Sequence, residues 1–277
     1  MDLTSSAVIR GLSCRTWRVL LALSGFFGCL LVVGLGVGRA TASLPTTISF
    51  VIAGVVMSAS TLGMVLLLRR HVDRGTWRGT GLSCDRRTLP QLLLGVALAA
   101  AVTAVAGGIT VWLGHADWGR ATATTATVGL TDVIVTTTAS TLLVQGFPEE
   151  LVFRGYVFGN LREVQPLWAA AVVSSVLFGS IHVLSHSGAT TLGQRLTYAA
   201  TATGFGLVLA ACRTASGALW LGTGFHAGHD AFTGVLVTVH RDALVPALLV
   251  ALGTLLTTAA ITFAAHRRRT RKNSRSA

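Results

Sequence analysis

Apolar residues run along the chain in eight stretches, each long enough to cross a bilayer and most of them free of charge. A hydrocarbon core about 30 Å thick takes roughly 20 residues at a rise of about 1.5 Å each. The stretches predict helices near Val19–Val37, Thr46–Leu68, Pro90–Leu113, Val133–Leu161, Pro166–Leu184, Gln194–Cys212, Ser216–Val239 and Leu244–Ala265. The expected fold is therefore all-α: a polytopic integral membrane helix bundle of about eight transmembrane helices. The first stretch follows Arg10, Arg15 and Arg18 and precedes an Ala40-Thr41-Ala42 that reads like a cleavage site. Its apolar run exceeds the 7–15 residues or so of a secretory signal, so a retained helix is expected.

Composition agrees with the pattern. Hydrophobic residues make up 52% and charged residues 12%, about half the charged share of a globular protein. The net charge of +12 would suit a nucleic-acid binder, but the arginines cluster at the ends of apolar runs and form no basic face, so nucleic acid is excluded as a partner. Most of them lie at one set of ends, around Arg18, Arg69–Arg87, Arg162, Arg213 and the tail from Arg267. By the positive-inside rule this predicts a cell-membrane protein with both termini cytoplasmic and the tail held against anionic lipid. Four cysteines show no metal-ligand or CxxC spacing. Six tryptophans (Trp17, Trp77, Trp112, Trp118, Trp168, Trp220) fall near predicted ends, as an interfacial aromatic belt would.

Ionisable groups inside spans are costly, about 2.5–3.5 kcal/mol each on insertion scales, and mark functional candidates. The fourth stretch carries Pro148-Glu149-Glu150 and Arg154, the fifth ends in His182, and the seventh carries His226, His229 and Asp230. Glu150 and Arg154 are four apart and share a helix face, so they are expected to pair. Glu149 is then left on another face as a candidate general base. His226 and Asp230 are also four apart. Pro148 predicts a kink just before the glutamates. Counted from one membrane edge, Glu149, His182 and His226 lie roughly 18, 24 and 15 Å deep, so three helices bring polar groups to similar levels. Gly224 and Gly228 have the GxxxG spacing that lets helices approach closely. Taken singly, a Glu–Arg pair or a glycine pair is more often structural. His186 and Asp117 are expected to be solvated in loops. His71, His115, His240 and His266 are expected at interfaces.

Together Glu149-Glu150-x-x-x-Arg154, Phe178-x-x-x-His182 and His226-x-x-x-Asp230 resemble the motifs of the CPBP family of intramembrane proteases. That family includes the CAAX prenyl endopeptidases and bacteriocin-processing or immunity proteins. FRGYVFGNL after the glutamates and the run from Thr214 to Trp220 fit as well. The resemblance divides the chain into N-terminal helices without a recognised motif (1–132), a catalytic helix core (133–239), and a last helix with a basic tail (240–277). It implies peptide-bond hydrolysis in a membrane-tethered protein or peptide substrate. Glu149 with His182 would activate water, His226 with Asp230 would stabilise the oxyanion, and Glu150 with Arg154 would hold the helix. The third motif commonly ends in Asn, where this chain has Asp230. Glu149, His182 and His226 could instead hold Zn²⁺, since two histidines and a carboxylate form a known catalytic zinc set. Both accounts stay open, with the metal-free one as the working expectation. Two other classes also remain open: a catalytically silent membrane scaffold or immunity-type protein on the same fold, and a proton-coupled transporter.

Overall fold

A computed structural model describes residues 3–119, 129–185 and 188–274. The side chains of residues 3–15 and 78, the connection at 120–128 and His186 lie outside the described residues. The described residues form eight helical segments: α1 (3–40), α2 (Thr46–Val72), α3 (Thr88–Trp112), α4 (130–162), α5 (Leu167–Leu184), α6 (Leu192–Ser216), α7 (Trp220–Leu236) and α8 (Leu244–Asn273). It is a polytopic helical membrane protein. By length and hydropathy α1, α2, α3, α5 and α8 qualify as spans on their own. The remaining three carry the polar load: α4 and α7 hold the motif carboxylates, the arginine and two of the cluster's histidines, and α6 is rich in threonine. Those three are sheltered by neighbours, whereas the five apolar helices leave most of their surface to lipid.

Local chemistry sets the ends. Pro45 and Pro166 stand extended immediately before α2 and the helix of α5, positions where a missing N–H costs nothing. Thr191 and Gln194 close a reciprocal capping box on α6, and Gly217 ends it in the left-handed region, which a side chain would strain. The seventh helix is shorter than expected. Residues 216–219 belong to the end of α6 and a turn, and Val237–Val239 is a strand, β2, paired antiparallel with β1 (Ala116–Trp118). Three consecutive β-branched residues, two of them valines, favour the extended form once a partner strand is at hand. This ribbon ties the end of α3 to the end of α7.

Asp117, expected to be solvated, is 78% exposed and meets His240 Nε2 at 2.9 Å across the ribbon. That contact raises the pKa of His240 above its ordinary value. The stabilisation is therefore complete below the unfolded histidine's pKa of about 6.5 and is lost as pH climbs through the folded value. The melting-temperature gap between wild type and H240N should shrink over that alkaline rise. The pair is exposed, so the gap is small.

α7 packs chiefly on α3, with α4 and α6 on its other sides; α6 in turn packs on α5 and α8. The GxxxG pair faces α3: a Cβ on Gly224 would lie 2.0 Å from the Leu92 carbonyl oxygen, and one on Gly228 3.1 Å from Val96 Cα. The obstacle at Gly224 is backbone, which cannot rotate away. G224A is expected to cost about 1–3 kcal/mol in detergent unfolding. G234A on the same helix, with open space around it, should unfold like wild type.

At the end of the bundle bearing both termini, Asp73 gathers three elements. It accepts from Arg18 Nη1 (3.2 Å) and Arg69 Nη1 (3.0 Å), and from the Tyr156 hydroxyl at 3.1 Å. α1, α2 and the stretch of α4 that follows the glutamates are thereby pinned together.

Candidate active site

α4 carries the first group of side chains on an unusual winding. It runs as π-helix over Ala139–Gly146 and Leu151–Val157, with one α-turn, Phe147–Glu150, between. Pro148 explains the first departure. It has no N–H to give Val144, and its ring would press on that carbonyl in a regular α-helix. Widening the preceding turns accommodates both effects. The irregularity expected just before the glutamates takes the form of underwound, π-helical winding; π-segments of this kind occur frequently at functional sites.

The winding turns both glutamates toward α7. Glu150 is fully buried and its Oε1 receives Arg154 Nη1 at 2.9 Å; Arg154, equally buried, also donates from Nη2 to the Gly206 carbonyl at 3.1 Å. The guanidinium carbon sits 4.4 Å from the Phe178 ring centroid, a cation–π distance. The expected pair therefore forms, with two further supports from α5 and α6 that spacing within α4 could not disclose. Gly222 of α7 leaves room for the carboxylate, since a Cβ there would lie 2.8 Å from Glu150 Oε2.

His226 is the hub. Its Nδ1 stands 3.4 Å from Glu150 Oε1, and its Nε2 stands 3.7 Å from Glu149 Oε2 and 3.5 Å from Asp230 Oδ2. Both ring nitrogens thus face carboxylate oxygens. The ring is held edge-on by Phe178 and Phe205, at centroid distances of 5.9 and 5.0 Å. Asp230 also faces His229, Oδ1 to Nδ1 at 3.6 Å, while the His229 ring lies against Phe205. His229 therefore belongs to this cluster. Glu149 is the more accessible of the two glutamates, its side chain 14% exposed, and its Oε2 has no hydrogen-bond partner.

His182 occupies a different setting. The α-helix of α5 ends at Ile181, and His182 opens a short 3-10 turn. Its Nδ1 lies 2.7 Å from the Phe178 carbonyl oxygen, one of the acceptors left open at a helix end. A carbonyl only accepts, so Nδ1 carries the hydrogen and Nε2 of the neutral ring is the acceptor. The ring packs on Phe178 and lies 6.1 Å from Tyr198.

Residues 131–232 match a protein family described as type II CAAX prenyl endopeptidase, Rce1-like. The match takes in α4 to α7 and encloses Glu149, Glu150, Arg154, His182, His226 and Asp230. These residues belong to the Rce1-like endopeptidase family. Comparison with curated proteins gives no match. Membership implies an intramembrane protease acting on a protein or peptide.

The Rce1-like domain also draws on residues that carry no motif. Phe205 and the Gly206 carbonyl come from α6, a helix without any expected site residue; only its unusual content of small residues set it apart. Trp220, expected in an interfacial belt, instead stacks on Phe147 at 5.9 Å and hydrogen-bonds the Ser83 carbonyl. It anchors the start of α7 beside the glutamate turn. Trp112 and Trp168 do lie outward, 83% and 71% exposed. Among the described residues no three His, Cys, Asp or Glu side chains gather as a metal-ligand set. His182 nonetheless keeps Nε2 in the state that a metal ligand uses, its Nδ1 hydrogen resting on a backbone carbonyl, and Glu149 and His226 stand 3.7 Å apart.

Proposed function

We propose that the Rce1-like domain hydrolyses a peptide bond in a membrane-tethered protein or peptide, with water activated by Glu149. The observation that carries this is a buried Glu149 oxygen that lacks a hydrogen-bond partner, beside an imidazole held by three carboxylates. Such an oxygen is an acceptor in want of a donor, and a water molecule or its proton supplies one.

In this reading Glu149 takes a proton from water as the oxygen bonds to the scissile carbonyl carbon. The C–N bond then breaks as Glu149 returns that proton to the leaving nitrogen. The two histidines divide the remaining work by their hydrogen-bonding sense. His182, with Nε2 as acceptor, orients the attacking water. His226, whose nitrogens face acceptors, is the donor, and an N–H shifted from carboxylate to the developing oxyanion stabilises the tetrahedral state. Contacts of 3.5–3.7 Å leave that N–H free to be recruited, and such contacts commonly tighten only with substrate bound. Asp230 faces His226 and holds its orientation; an Asp in place of the usual Asn suits that task because it pairs with imidazole. Glu150 and Arg154 fix the turn.

An untargeted comparison of cells identifies the substrate. Membrane proteomes of cells carrying wild type and H182A should differ by at least one precursor that accumulates only with the variant, at equal protein level. Indistinguishable proteomes, with the variant folded and inserted, would leave the scaffold reading in possession.

A further inference from the structure

The end of the bundle that bears both termini holds a second group of ionisable side chains, contributed by different residues from those around His226. A cavity of about 410 Å³ opens between the ends of α2, α4 and α6 and the side of α8. Arg69, Arg162, Arg213 and His266 line it, with Glu163 as the one carboxylate among the lining residues. Arg69 is already engaged, by Asp73 and by the Thr76 carbonyl. Arg162 directs Nη1 to the Gln165 carbonyl at 2.8 Å and keeps its other donors.

Arg213 is the unusual member. Its Nε is buried with no hydrogen-bond partner, and among the described residues no opposite charge offsets the burial of its guanidinium. It is nevertheless held in place: Gly81 runs over it in a left-handed conformation, and a Cβ there would lie 2.4 Å from Arg213 Cζ. A fixed, largely sheltered guanidinium without an anion is costly, and a tetrahedral oxyanion presents the paired acceptors that its fork geometry suits. Position indicates where the anion comes from. His266 ends the apolar run of α8 and is followed by Arg267, Arg268 and Arg269. Trp168, in the first turn of α5 beside Leu167 on the cavity wall, is 71% exposed, as at a headgroup boundary. Basic pockets between helix ends at this level are suited to anionic headgroups.

We propose that this cavity binds the phosphate group of an anionic phospholipid, with Arg213 and Arg162 as its principal donors. The test is native mass spectrometry of the full-length protein in neutral detergent, titrated with phosphatidylglycerol, phosphatidylcholine or inorganic phosphate. Wild type should retain one phosphatidylglycerol with about tenfold preference over phosphatidylcholine, and R213Q and R162Q should each lose about tenfold in that retention. Melting temperatures establish that the variants are folded. Arg162 is exposed, so R162Q carries the test if R213Q fails to fold. Millimolar inorganic phosphate that binds alone and displaces the lipid would assign the site to free phosphate instead. Equal retention of the two lipids, or retention unchanged in both variants, would overturn the proposal.

Discussion

E149Q is expected to lower peptide-bond cleavage by on the order of a hundred- to ten-thousand-fold, the usual contribution of a positioned general base. Gln has the size and shape of Glu but cannot accept and return a proton, so the change isolates the chemistry from the packing. The side chain is 14% exposed and its Oε2 lacks a hydrogen-bond partner. The amide therefore fits without stranding a neighbour, and the melting temperature should stay within a few degrees of wild type. The measurement is product release from purified protein in liposomes, using the precursor that accumulates in H182A membranes. A variant cleaving at the wild-type rate would remove Glu149 from the reaction.

R154M is expected to act mainly on stability. It leaves Glu150 fully buried with its charge partner gone, a change that costs about 3–5 kcal/mol where the pair is desolvated. It also removes the donor to the Gly206 carbonyl and the contact over Phe178, loosening α5 and α6 from the glutamate turn. The double variant E150Q/R154M should recover part of the loss, since no buried charge is then stranded. Detergent or thermal unfolding of the two single variants and the double variant gives the coupling directly. Strictly additive losses would mean that the two side chains do not act as a pair. Because Glu150 also touches His226, R154M should reduce cleavage beyond what its unfolded fraction explains, whereas G224A should reduce it only in proportion to unfolding.

Much of the architecture could be read from the residues because a bilayer imposes a simple rule: a helix in contact with lipid must be long and apolar. The described helices follow the eight apolar stretches, but the first begins at Leu3 and the last runs on to Asn273, well outside the apolar runs, and the seventh ends early at Leu236. There Val237–Val239 is as apolar as a helix end but pairs with Ala116–Trp118, a partner more than a hundred residues away that no local pattern reveals. The Glu150–Arg154 contact was equally legible, since four residues on one helix set both the angle and the rise. Asp73 was not. It sits in a charged loop that reads as solvent-exposed, and only the meeting of α1, α2 and α4 makes it a buried junction.

Relations within one helix were determined by sequence alone: which carboxylate pairs with Arg154, that Asp230 can reach His226, and that Gly224 and Gly228 make a face for close approach. Tertiary structure decided the relations between helices. It turned Glu149 toward His226, gave His182 a backbone carbonyl as its partner, and brought Phe205 of α6 against both His226 and His229. Periodicity specifies how side chains are spaced around a helix axis, but the rotation of each helix against its neighbours depends on packing that many residues share. At the glutamates that rotation was altered further by the π-winding around Pro148, which turns through fewer degrees per residue than an α-helix and so changes which side chains meet.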